Sequence, residues 1–192
     1  MNKSVTEYYN RVIQECRGYV SSLELGSSDA PLSRMLKGIV PTRIIVDTCR
    51  KALENAVNLD PGLIAINQSI ISYDIECIDW IWTESLVNKP DVIILLDIIE
   101  HFPKWPANAI INGCKLSCNK KVIIFCPVGE VPSTPPPQYD TMLNRSYWEH
   151  RSEWYKEDLE SLGFKTDIWS GFHEHLRNNK NGGDVLFGIF AK

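Results

Sequence analysis

Three stretches of this sequence carry side chains that could do chemistry. The first reads Leu23-Glu24-Leu25-Gly26-Ser27-Ser28-Asp29-Ala30-Pro31, a β-rich run passing through small residues into a helix start. Small residues let backbone approach a ligand closely, and a helix N-terminus offers free N–H groups. The second is Asp47, twenty-one positions after Gly26 and at the end of the run Arg43–Asp47. A carboxylate at a strand end can accept both hydroxyls of an adenosine ribose, whether the cofactor is a nicotinamide dinucleotide or another nucleoside. The third is Asp97-Ile98-Ile99-Glu100-His101, directly after the apolar run Val92–Leu96. Carboxylate and imidazole are the side chains used for proton transfer near neutral pH. Later come His150 and the alternating His173-Glu174-His175, whose spacing puts both imidazoles on one side of an extended chain; we read it as a loop at a substrate mouth.

The elements that must position these groups follow from periodicity. Short β-rich runs alternate with helical patterns, the mark of a mostly parallel sheet covered by helices. A helix is expected around Val5–Cys16, then strands at Ser21–Leu25 and Arg43–Asp47. Pro31–Lys37 fits a helix capped by Ser28 or Asp29 and ended by Gly38. Thr48 is the expected cap of the next, whose stripe is Cys49, Ala52, Leu53, Ala56 and Val57. A third strand falls within Leu63–Tyr73, and a short helix within Asp79–Val87. Val92–Leu96 is apolar throughout, as a central strand covered on both faces would be. A helix with Ala107, Ile110, Ile111, Cys114 and Cys118 on one face follows, then a strand at Val122–Cys126. The segment 127–150 carries five prolines and reads as a lid or substrate loop. A helix around Trp154–Leu162 ends at Gly163, and Phe164–Trp169 and Val185–Ala191 form a terminal hairpin. The expected fold is therefore α/β: a three-layer sandwich on a seven-stranded, mostly parallel sheet, the last strand antiparallel, in one domain spanning 1–192.

Composition narrows the function classes. With 44% hydrophobic and 23% charged residues the chain is ordinary globular protein. A net charge of -4 gives no general field for a phosphate backbone, so nucleic acid is not an expected partner. Six scattered cysteines without a Cys-x-x-Cys pair read as reduced core residues. The N-terminus lacks an apolar signal core, and no run is long enough to cross a bilayer. We expect a cytoplasmic protein without a membrane partner or resident metal.

Motif order points further. The first turn resembles the opening motif of class I S-adenosylmethionine methyltransferases, with Ser28 and Ala30 where that family usually has glycines. Tyr73-Asp74-Ile75-Glu76 resembles its adenine-binding segment, with Gln68 a competing placement. Pro90–Phe102 resembles its fourth strand with an acidic-x-x-Glu-His turn, and Lys121–Pro127 its fifth. His150-Arg151-Ser152-x-Trp154 with Leu162-Gly163-Phe164 resembles the approach to its sixth. The likeness covers roughly residues 20–192 and implies S-adenosylmethionine as cofactor, held by Glu24, Gly26, Ser28, Asp47, Asp74, Ile75 and Asp97. It implies Asp97 and His101 as candidate catalytic groups and a small molecule or glycan as acceptor, met by His150 and Trp154. Trp105 and Trp148 are further candidates to line its pocket, against plain packing. Three alternatives stay open: a protein that binds the cofactor without catalysis, a nicotinamide enzyme, and a metal-dependent RNA 2′-O-methyltransferase. Asp97, Glu100, His101 and His150 resemble that last enzyme's metal set.

Overall fold

The computed structural model describes residues 5–70, 89–131, 149–172 and 183–192. Asp74, Ile75 and their neighbours Tyr73 and Glu76, the helix expected within Asp79–Val87, Trp148, His173–His175 and the proline-rich part of the expected lid lie outside the described residues.

Seven strands form one sheet: β1 (Ser21–Leu25), β2 (Thr42–Asp47), β3 (Leu63–Asn67), β4 (Val92–Leu96), β5 (Lys121–Pro127), β6 (Lys165–Trp169) and β7 (Val185–Ala191). Their order is β3-β2-β1-β4-β5-β7-β6. β1 to β5 pair in parallel, and β7 runs antiparallel to both β5 and β6. The expected fold class is what the structure has.

The apolar run of β4 shows why both faces are covered. Val92, Ile94 and Leu96 pack with Tyr8, Val12 and Ile13 of α1 (Val5–Cys16) and Leu32 of α2 (Pro31–Met35). Ile93 and Leu95, pointing the other way by the period-two pleat, pack with Ala107, Ile110 and Cys114 of α4 (Lys104–Ser117). On the first face Ile45, level with Glu24 and Ile94 across the sheet, meets Leu53 and Ala56 of α3 (Arg50–Leu59). On the second, α5 (Lys156–Ser161) adds Leu159.

Two helix starts differ from expectation. α2 is preceded by Ala30, not Ser28 or Asp29, and this residue has no side chain to cap it. The residue before α3 is Cys49, not Thr48, and its N–H donates to Asp47 Oδ1 at 2.7 Å. Cys118 lies just beyond α4, yet it is fully buried like Cys114. No helix among the described residues is long and apolar enough to cross a membrane.

Strand order reverses between β1 and β4, so their exits diverge and leave a crevice at the carboxyl ends of the strands. The Gly26–Ala30 turn and the Asp97–His101 turn flank it.

Candidate active site

The β1 exit is built by backbone conformation. Gly26, Ser28 and Ala30 all take positive φ, at 72°, 50° and 53°. The two residues that replace glycine thus keep the left-handed backbone that glycine adopts freely, at a cost of about 1–2 kcal/mol each. Gly26 and Ser27 donate their N–H groups to Val46 O, at 2.9 and 3.2 Å. Ser28 N–H donates to Asp47 Oδ2 at 2.7 Å. Asp47 therefore ties the turn to the α3 start, each carboxylate oxygen accepting one N–H. A carboxylate has roughly four lone-pair sites, so capacity remains for two hydroxyls of a ribose.

The strain at the turn makes a testable contrast. Ser28→Gly relieves the αL penalty and is expected to raise the melting temperature slightly. Ala30→Gly relieves the same penalty but removes a fully buried methyl packed near Ile45 and Leu53, worth about 0.8 kcal/mol, and should leave stability nearly unchanged. Parallel thermal melts of the two variants check this.

Ser27 was not among the residues singled out from the sequence. It is buried and its Oγ has no hydrogen-bond partner. A short hydroxyl inside a small-residue turn was the available signal. Glu24, expected among the cofactor-binding residues, accepts through its Oε2 the N–H and Oγ–H of Ser33 in the first turn of α2, so the carboxylate also anchors that helix. Burial pushes its carboxyl up to about 7, against the opposing pull of the Ser33 bonds.

That shift has a pH consequence. A carboxyl whose folded pKa lies above its unfolded value favours folding when protonated, so its contribution is lost as pH rises from about 4.3 to 7. Glu24→Gln keeps an acceptor for Ser33 without the charge. The variant should gain on the parent in melting temperature as pH rises through that window, then hold a constant lead above it. A gap independent of pH would contradict the shift.

At the β4 exit, Asp97 takes φ 49° and donates its N–H to Phe125 O at 2.8 Å. Its side chain reaches solvent, yet surrounding protein raises its carboxyl above the usual range. Ile98 packs against the β1 turn: a β-carbon at Gly26 would lie 2.7 Å from Ile98 Cγ1. Ile99–His101 form one 3-10 turn. Glu100 is 1% exposed and its Oε2 has no hydrogen-bond partner. Burial raises its carboxyl and Asp97 raises it further.

The chain 149–154 folds back over this turn. Arg151 and Ser152 donate N–H groups to Glu100 O at 2.7 and 3.2 Å. His101 Nδ1 lies 3.4 Å from Glu149 O, and the His101 and His150 rings are 5.0 Å apart. Burial and His150 hold His101 down at about 4, and burial lowers His150. Potential ligand atoms of Glu100, His101 and His150 all lie within 4.8 Å of one another; Asp97 is outside that group. Trp154, expected at the acceptor, is instead fully buried in the core, its indole N–H donating to Ser152 Oγ at 2.9 Å and Lys104 Nζ 3.8 Å from its ring centroid. Packing claims it. Trp105 is exposed on α4. Beside His150 a cleft of about 540 Å³ opens between Gly129–Val131 and Glu149–Glu153.

Sheet order, the antiparallel β7 and the two exit turns together define the fold of class I S-adenosylmethionine methyltransferases. Solved structures agree. The N-methyltransferase NodS from Bradyrhizobium japonicum WM9, in complex with S-adenosyl-L-homocysteine, superposes with a TM-score of 0.65 at 10% identity, over 96% of this chain and 84% of that one. Magnesium protoporphyrin IX methyltransferase (ChlM) from Synechocystis PCC 6803, with bound S-adenosylhomocysteine, gives 0.60 at 15% identity, over 97% and 82%. The methyltransferase domain of bacterial CtHen1-C gives 0.61 at 15% identity, over 96% of both chains. No family model matches the sequence, and no curated protein matches it.

Proposed function

We propose that this protein transfers a methyl group from S-adenosylmethionine to a small polar molecule, in a reducing, cytoplasmic setting. The observation that carries the reading is the crevice itself: a left-handed Gly26–Ala30 turn, Asp47 one strand away and Asp97 across the switch point. The residues fit the cofactor, since Asp47 keeps acceptor capacity and Ser27 Oγ is a buried polar atom without a partner.

When bound, the cofactor supplies a sulfonium-activated methyl, and the chemistry then needs alignment and exclusion of water more than acid–base power. Asp47 would accept the ribose hydroxyls, and Gly26 and Ser28 would bring backbone against the ligand. Asp74 and Ile75 keep their assignment to the adenine. Asp97, whose solvent-facing carboxyl the surrounding protein raises above the ordinary carboxylate range, and His101, neutral at physiological pH, are the groups that would take a proton from the acceptor. His150 stands at the acceptor side.

The test is incubation of metabolite extracts with protein and S-adenosylmethionine carrying a deuterated methyl. Mass spectrometry should find a labelled small molecule that is absent without protein. Cofactor binding with no labelled product from any extract would favour a non-catalytic binding protein.

One observation favours a second reading. His150 does fold back over the fourth-strand turn, bringing it to Glu100 and His101. That donor set, with the partnerless Glu100 oxygen, fits Mg²⁺ or Mn²⁺, which would orient and polarise an acceptor hydroxyl in a metal-dependent 2′-O-methyltransferase. The first reading expects activity to persist in excess EDTA; loss with EDTA and return with Mn²⁺ would select the second.

A further inference from the structure

α1 lies outside the stretch that carries the family likeness, yet its direction brings it to the crevice. Near its end, Lys121 Nζ at the start of β5 lies 2.7 Å from Glu15 Oε2. Near its start, Tyr8 stacks on Phe125 toward the end of β5, ring centroids 4.1 Å apart. The helix therefore runs antiparallel to β5, and its first turns stand at the carboxyl ends of the parallel strands. Phe125 is also the residue whose carbonyl accepts the Asp97 N–H, so this aromatic stack sits beside the β4 exit.

The rings touch in turn. Tyr8 meets Tyr9 at 4.6 Å and Phe172 at 5.8 Å, and Phe172 meets Phe125 at 5.2 Å. Tyr8 is only 5% exposed, so half-buried Tyr9 gives the stack its open side. The charges acting on Tyr9 come from both exits: Glu24 and Asp29 from β1 and its turn, and Asp97 from β4, with Arg34 opposing them. Burial first, and then these carboxylates, push its phenol up to about 12, so the ring stays neutral. Arg34 itself lies 3.8 Å from Asp29. An aromatic wall among carboxylates attracts a positive group, through the ring quadrupole and through simple charge.

Resting on the methyltransferase reading, we propose that Tyr9 is a cofactor-binding residue whose ring meets the positive sulfonium of S-adenosylmethionine, so that α1 completes the crevice. With the ribose at Asp47 on β2, a cofactor stretched across β1 brings its sulfur end to β4, where Asp97 and the aromatic stack stand. The product, S-adenosylhomocysteine, has the same skeleton with an uncharged thioether. Contact with the ring therefore favours the charged cofactor and adds little for the product.

The test is titration calorimetry of the intact chain with S-adenosylmethionine and S-adenosylhomocysteine, comparing the parent with Tyr9→Leu and Tyr9→Phe. Tyr9→Leu should weaken S-adenosylmethionine about two- to tenfold, as expected for the loss of one cation–π contact, and leave S-adenosylhomocysteine unchanged. Tyr9→Phe keeps the ring without the hydroxyl and should bind both ligands as the parent does. Equal losses for the two ligands in Tyr9→Leu, no loss for either, or a Tyr9→Phe variant that behaves like Tyr9→Leu would overturn the proposal. If Tyr9→Leu does not melt cooperatively, Tyr9→Met, longer and still non-aromatic, takes its place with the same expected and contrary results. A parent protein that binds neither ligand would instead bring down the methyltransferase reading, so the two failures are distinct.

Discussion

Asp47→Ala is expected to weaken binding of S-adenosylhomocysteine by about 10- to 100-fold, the equivalent of roughly 1.5–3 kcal/mol for hydrogen bonds to a charged group. The structure gives the substitution a second effect. Asp47 Oδ2 accepts Ser28 N–H and Oδ1 accepts Cys49 N–H, so removing the carboxylate frees the turn and the α3 start together. Calorimetric titration should therefore show weaker binding, and a thermal melt should show a cooperative transition at lower temperature. Asp47→Asn keeps one acceptor oxygen and should fall between the parent and Asp47→Ala in both assays. Unchanged affinity in Asp47→Ala would move the ribose contact elsewhere.

Gly26→Ala should be the most damaging single methyl in the crevice. The residue sits at φ 72°, which costs an L-residue about 1–2 kcal/mol. The new β-carbon would also collide with the side chain of Ile98, at 2.7 Å from Cγ1, and overpacking of this kind costs about 1–3 kcal/mol. Together they predict roughly 2–5 kcal/mol, or a melting temperature lower by about 5–15 °C for a domain of this size. Pairing with Ile98→Ala, which opens the space, should recover the steric part but not the backbone part. A melt of Gly26→Ala within a degree of the parent would mean that the two exit turns are not packed as described.

What was legible in the sequence was periodicity. The run Val92–Leu96 reads as a doubly covered strand because both of its faces find apolar partners, and the bounds of β1, β4 and β7 follow from composition alone. The helix starts were misread because the sequence suggests a local side-chain cap. Here a left-handed Ala30 precedes α2, and the buried Glu24, nine residues before Ser33, binds its first turn; Asp47 does the same for Cys49. The Asp97–His101 turn was visible as a cluster because its members are neighbours in the chain. The approach of His150 to His101 entered only through the resemblance to the metal-dependent RNA enzyme, because it depends on N–H groups of Arg151 and Ser152 meeting Glu100 O, a backbone pairing that no residue type encodes. Trp154 was misjudged for a related reason: Lys104 and Ser152 satisfy its ring and its N–H inside the core.

The central claim is the identity of the nucleoside that the β1 and β4 exits hold. Its most direct test is thermal stability measured with S-adenosylhomocysteine, NAD and NADP side by side. At about 100 times the dissociation constant, a ligand specific for the folded state adds roughly 2.7 kcal/mol, or an upward shift of about 5–10 °C. The account predicts that shift for S-adenosylhomocysteine and none for either nicotinamide dinucleotide. A shift produced by NAD or NADP, with S-adenosylhomocysteine inert, would contradict it.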